Sequence, residues 1–121
     1  MTGRCILRRW SSLIRTEDED AYSDYVRDTG LSDYKATAGN LGAQILMRRL
    51  KDNVTEVTTL SWWRSMEAIE AFAGREPELA RYYPEDDRFL LEKPLLVEHH
   101  KVIASLGRGG GAPFDHNGIN Y

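Results

Sequence analysis

A single cysteine, Cys5, stands in 121 residues, so no intrachain disulfide can form and the fold must hold in its reduced state. A cytoplasmic setting is the matching expectation, with Cys5 a small buried hydrophobe rather than a reactive thiol. Long apolar runs are missing too. The longest charge-free stretch, Ala36 to Met47, carries two glycines and an asparagine, far short of the roughly 20 apolar residues of a membrane span. Near the N-terminus, Arg8 and Arg9 interrupt the apolar run Cys5 to Leu7 before a signal-peptide core can form, so secretion is not expected. Neither sign of charge dominates: 16 Lys plus Arg against 19 Asp plus Glu leave −3, which supplies no field for phosphate backbones or anionic lipid. Neither nucleic acid nor a membrane is an expected partner.

Several chemistries lack their residues. The three histidines, His99, His100 and His116, show no His-x-x-x-His spacing, and a lone cysteine makes no Cys-x-x-Cys pair, so no metal site is expected. Gly39 and Gly42 are without the Lys and Ser or Thr of a phosphate loop, which speaks against nucleotide binding. Ser11, Ser12 and Ser61 sit in no nucleophile-elbow motif. No internal period of about 20 to 50 residues is present, which argues against a repeat architecture.

What is present is a globular composition, 41% hydrophobic and 29% charged, in a length that suits one domain with its own core. Cys5 to Arg15 alternates β-branched, aromatic and polar residues and predicts a first strand. Thr16 with Glu19 three residues on reads as a capping box, opening a helix over Glu17 to Thr29 that Gly30 closes. Leu31 to Leu41 has no period and reads as a loop. Gly42 to Lys51 and Val54 to Trp63 form a hairpin about Asp52 and Asn53, which both tolerate positive φ. Ser65 caps a second helix ended by Gly74. Pro77 to Tyr83 and Pro84 to Phe89 read as short helical pieces, and Leu95 to Ile103 as the last strand. Residues 1–106 make the domain, and Gly107 to Tyr121, with four glycines before Pro113, a flexible extension.

Strand, helix, strand, strand, helix, strand is the order of an α+β, ferredoxin-like split βαβ fold, a four-stranded antiparallel sheet with both helices on one face. Leu95, Val97 and Ile103 share one parity in the last strand and Leu96 and Val102 the other, so both faces expect burial. Two helices cover only one side. A homodimer with sheets packed face to face is the expected cover for the other.

Among polar and aromatic residues, Trp62 and Trp63 must point to opposite faces, one of them available as an aromatic wall of a ligand cavity. His99 and His100 divide in the same way. His99, near-neutral in pKa, is the candidate base for proton transfer. Tyr34, Thr37 and Asn40 bring a phenol, a hydroxyl and an amide ahead of the second strand, a set able to orient a carbonyl or simply to build a turn. Arg48 and Arg49 split between faces, where an inward guanidinium can hold an anionic group or make an interfacial ion pair.

The run Leu60-Ser61-Trp62-Trp63-Arg64-Ser65-Met66-Glu67-Ala68, a strand ending in Trp-Trp before a Ser-capped helix, resembles the antibiotic-biosynthesis monooxygenase-like family of dimeric α/β barrels. With the element order, the resemblance spans Cys5 to Ile103. It implies a cavity in each subunit between sheet and helices, near the tryptophan matching Trp63. The activities it implies include cofactor-independent oxidation of aromatic polyketides by O₂ and haem degradation, alongside relatives with no known activity. Haem-degrading members use a histidine on the second helical segment and an asparagine in the first strand. Glu67 to Phe89 holds no histidine and Cys5 to Arg15 no asparagine, which disfavours haem degradation. The resulting expectation is a monooxygenase-like protein without cofactor acting on an aromatic or phenolic small molecule, with His99 catalytic and Trp63, Tyr34, Asn40 and Arg48 around the substrate. The alternative is a non-catalytic small-molecule-binding or interaction protein of the same fold.

Overall fold

The computed structural model describes residues 5–107; apart from Gly107, the glycine-rich extension lies outside the described residues, as does His116. β1 (Cys5–Arg15) and β3 (Val54–Trp63) have the expected limits, and β2 covers Asn40–Arg49. With β4 (Glu98–Val102) they form one antiparallel sheet in the order β2-β3-β1-β4. The long chain-distant pairing of β1 with β3, from Ile6 opposite Trp63 to Arg15 opposite Val54, places a β3 strand between β1 and β2, as a split βαβ unit requires. At the hairpin, Asp52 and Asn53 stand at φ 61° and 60°, and the Val54 amide donates to the Lys51 carbonyl at 3.3 Å. Two successive left-handed residues match the right-handed twist of the strands they join.

The helical segments depart from the sequence reading in three places. Thr16 and Glu19 make no capping box: Thr16–Asp18 is a 3₁₀ turn, the Thr16 hydroxyl bonds that of Thr55 at 2.9 Å, and Glu19 turns to Arg49 and to the Thr55 hydroxyl. A tertiary partner outcompetes the local one. Gly30 does not end the helix either. α1 (Glu19–Val26) passes through a π turn (Arg27–Leu31) into α2 (Ser32–Ala36), and Gly30 is not among the residues with positive φ. The Thr29 hydroxyl donates four residues back to the Tyr25 carbonyl, which lets the turn widen without stranding that carbonyl, and the Thr37 hydroxyl does the same for the Asp33 carbonyl at the end of α2. Half of the expected loop is therefore helix, and the real punctuation is Gly39 at φ 93°.

Pro77 to Tyr83 is not helical: Pro77 and Glu78 make a turn in which the Leu79 amide donates to the Glu76 carbonyl at 3.0 Å, and Leu79 is then bridged to Leu96. Pro84 does sit in a first turn, since the Tyr83 amide donates to Asp86 Oδ2 at 2.5 Å and α4 follows over Asp86–Phe89. α3 (Met66–Ala73) begins on Ser65, whose Oγ accepts from the Ala68 amide at 3.1 Å, and ends at Gly74, φ 99°.

All helices pack on one face of the sheet. That face carries Ile6, Arg8, Trp10, Ser12 and Ile14 of β1 opposite Trp63, Ser61, Thr59, Val57 and Thr55 of β3. Two apolar clusters form on it. Ile14, Tyr22, Val26, Val57, Phe89 and Leu90 make one, and Tyr34, Trp63, Ile69 and Phe72 the other. Each fully buried large side chain contributes ~1.5–3 kcal/mol. Polar residues, Arg8 and Thr59, occupy the inner face between the clusters, where the core cannot close.

Candidate functional site

A cleft opens at that gap, half-enclosed and continuous with solvent, about 510 Å³ when the open solvent at its mouth is counted. Tyr22 and Val26 reach it from one cluster and Tyr34 and Phe72 from the other, over a floor of Arg8, Trp10 and Thr59. The segment after α3 supplies the remaining wall with Arg81, Tyr82, Tyr83 and Asp86. Its mix of aromatic walls with a few polar groups is the make-up of a small-organic-molecule site.

Arg8 is 4% exposed. Its Nη1 donates to the Pro77 carbonyl at 2.5 Å and lies 3.2 Å from His99 Nε2, while Nη2 donates to the Leu79 carbonyl at 3.1 Å. Burial lowers its pKa, the Tyr34 phenol works against that, and Arg81 adds to it; a guanidinium stays charged regardless. Among the described residues Arg8 makes no ion pair. Arg81 differs: its Nη2 meets Asp33 Oδ2 at 3.0 Å, its Nη1 donates to the Phe72 carbonyl, and its guanidinium lies 4.7 Å from the Phe72 ring centre.

The hydroxyls divide likewise. Tyr82 donates to the Pro94 carbonyl and Tyr83 to Asp33 Oδ2 at 2.6 Å, and burial raises both phenolic pKa values. Tyr22, Tyr34 and Thr59, by contrast, make no side-chain hydrogen bond with any described residue, and all three line the cleft. Burial, reinforced by Asp86, pushes the Tyr22 phenol up. The Asp86 carboxyl is itself raised by burial, with the Tyr83 amide and Lys93 opposing.

The residues singled out from sequence land unevenly. Tyr34 lines the cleft, on helix α2 rather than on a loop. Trp63 stands behind it, 0% exposed, its indole donating to Ser61 Oγ at 2.8 Å and its ring edge-on to Tyr34 at 5.8 Å. Arg48 is on the opposite face of the sheet, paired with Glu56 at 3.0 Å, because it shares the parity of Gly42 and Leu46 rather than that of Ile45 and Met47. Asn40 does not reach the cleft: its Nδ2 donates to the Trp62 carbonyl at 3.3 Å, holding the bulge where β2 meets β3. Of the histidine pair, His99 faces inward, opposite Arg8 in register, and His100 outward. Since arginine only donates, His99 Nε2 must accept. The lone pair a base would use is thus engaged, and burial and Arg8 together lower the His99 pKa.

Sequence reasoning passed over Arg8 and Asp86. Arg8 occupies an inward position between Ile6 and Trp10, a legible sign of a charged group under the helices. Asp86 read only as a helix start, and nothing local marks it as facing a cleft. No cluster of three metal-ligating side chains exists among the described residues.

Among solved structures, the chain is similar to a Bacillus cereus protein described as a candidate antibiotic biosynthesis monooxygenase, with TM-score 0.56 and 18% identity over 87% of this chain and 98% of that one. The chain shares the antibiotic-biosynthesis-monooxygenase-like fold. The chain is also similar in structure to a Nitrosomonas europaea protein of unknown function (TM-score 0.58, 15% identity, 88% and 96% covered) and to a Pseudomonas aeruginosa protein (0.52, 18%, 84% and 94%). No protein-family model matches the sequence, nor does any curated protein. At these identities the likeness is one of architecture, and chemistry has to be argued from the cleft.

Proposed function

We propose that the protein oxidises an aromatic or phenolic small molecule with O₂ and no cofactor. The observation that carries this reading is a buried carboxylate, Asp86, on an aromatic-walled cleft whose Tyr22, Tyr34 and Thr59 hydroxyls have no hydrogen-bond partner among the described residues. The Bacillus cereus neighbour's description, a candidate antibiotic biosynthesis monooxygenase, supports it. With His99 Nε2 given to Arg8, Asp86 takes the role first expected of His99: it accepts a proton from an activated ring CH or OH. A carboxylate whose pKa is raised by burial is a stronger base than a solvated one. The substrate anion then reduces O₂ itself. For a ring CH₂ the balance is CH₂ + O₂ → C=O + H₂O: one C–O bond forms, a peroxide results, and its O–O bond breaks as water leaves. Trp63 and Phe72 act as packing that sets Tyr34 on the cleft wall.

In the same proposal the chain works as a homodimer, its second sheet face covered by a copy of itself. Leu46, on the face opposite the cleft, is 44% exposed and Leu7, Leu13 and Leu60 are half-buried. The buried Cys5 thiol, whose pKa burial raises, fits a reducing cytoplasmic setting. No helix among the described residues is long and apolar enough to cross a membrane.

Oxygen uptake with a panel of anthrone-like hydroquinones tests the oxidation. The expected result is an enzyme-dependent rate that falls ~10²-fold in Asp86→Asn, the usual scale for losing a general base. A rate equal to buffer across the panel removes the oxidase reading and leaves a binding protein.

A further inference from the structure

We infer that the cleft selects aromatic oxyanions, an arylcarboxylate, phenolate or enolate, and binds the anionic group on Arg8 with the Tyr34 hydroxyl, His99 holding Arg8 in position. The inference rests on the cleft being a small-molecule site and names the class of molecule it takes.

Donor counting carries it. A guanidinium has five N–H groups. In Arg8 two on Nη1 are used by Pro77 O and His99 Nε2, and one on Nη2 by Leu79 O. The Nε–H and the second Nη2–H have no partner among the described residues, though the side chain is almost wholly buried. Arg8 lines the cleft, so this pair is open to an acceptor that arrives there, and hydrogen bonds from a charged donor to an anion are roughly twice as strong as neutral ones. Both donors flank the same carbon and suit two oxygens of one anion. The other guanidinium on the cleft, Arg81, is already neutralised by Asp33, so it offers no competing anchor. Tyr34 adds a hydroxyl without a hydrogen-bond partner among the described residues and close enough to influence Arg8 electrostatically, and Phe72, with its ring centre 5.7 Å from the Arg8 guanidinium, offers a face to the ligand's ring.

His99 is a positioning residue in this scheme. Its Nε2 accepts from Nη1, which turns that side of the guanidinium away from the cleft and leaves the other donors for the ligand. A neutral imidazole is required, and burial together with Arg8 keeps it neutral.

Calorimetric titration of the full chain at pH 7 with 2-naphthoate and its neutral isostere 2-naphthamide tests this. Naphthoate is expected to bind at least ~10-fold tighter, the scale of one charge-assisted contact. Arg8→Gln should bring the ratio near one, Arg8→Lys should keep part of it, and Tyr34→Phe should weaken naphthoate alone by several-fold. His99→Ala should lower the ratio, and His99→Gln, which retains an acceptor, should restore it; a merely structural His99 would weaken both probes equally. Equal affinities for the two probes, binding of neither, or an unchanged ratio in folded Arg8→Gln overturns the inference. If Arg8→Gln does not fold, the wild-type ratio and Arg8→Lys decide. Oxygen uptake does not depend on the probe ratio, so the oxidation reading stands or falls separately.

Discussion

Gly39 stands at φ 93°, and a Cβ placed there would lie 2.5 Å from the Ala68 Cβ. Both backbone and space demand glycine, and its carbonyl receives the Arg64 amide at 2.8 Å, tying the end of α2 to the start of α3. Gly39→Ala is expected to lose at least ~1–2 kcal/mol, read as a lowered denaturant midpoint with unchanged slope. Asp86 poses the opposite case. Its carboxyl pKa is raised in the fold, so the native state holds its proton more tightly than the unfolded chain. The ionised form costs stability at neutral pH, and that cost vanishes as pH falls below the unfolded carboxylate range. Asp86→Asn keeps an acceptor for the Tyr83 amide while removing the charge, so its Tm should exceed wild type by a few degrees at pH 7. The gap should close toward pH 4. A more stable and slower variant is the signature of a group retained for chemistry. At this scale Ser65 and Asn53 were legible, because a cap and a left-handed turn act within a few residues. Asp86 was not, since the cleft it faces is built with residues of other elements, Tyr22 among them.

Between α1 and α2 the chain widens into a π turn instead of stopping at Gly30. The sequence offers a terminator there, yet Leu31 packs against both apolar clusters, and continuing the helix is what delivers it and Tyr34 to the sheet. A Cβ at Gly30 would meet only Val26 Cγ1 at 3.8 Å, an ordinary contact. Gly30→Ala should therefore stabilise the protein by ~0.4–1 kcal/mol by restricting the unfolded chain, measured by urea unfolding; a loss would show that the turn needs glycine after all. The segment after α3 teaches a similar lesson. Pro77 to Tyr83 has the composition of a helix start, but Ala80 donates to the Leu95 carbonyl at 2.8 Å and Val97 to that of Glu78 at 2.9 Å. Bridging to the segment that leads into β4 overrides the local preference, and this course sets Arg81, Tyr82 and Tyr83 along the cleft.

Across the described residues, one face of the sheet is spent on the two clusters and the cleft, and the other carries half-buried leucines with no described helix over them. Light scattering at low micromolar concentration is expected to give a species of about twice the 13.8 kDa chain; a 13.8 kDa particle would rule out the face-to-face pairing. Element order, the hairpin and the α3 cap could be read from the chain because period, turn chemistry and capping are short-range properties. Their succession restricts the topology to few choices, and the sheet order β2-β3-β1-β4 is among them. Which polar groups share a cavity belongs to another class of fact. It depends on register, where a single step exchanges every inward side chain for an outward one. That is how Arg48 went to the far face while Arg8, far away in the chain, came to sit beside His99 under the helices.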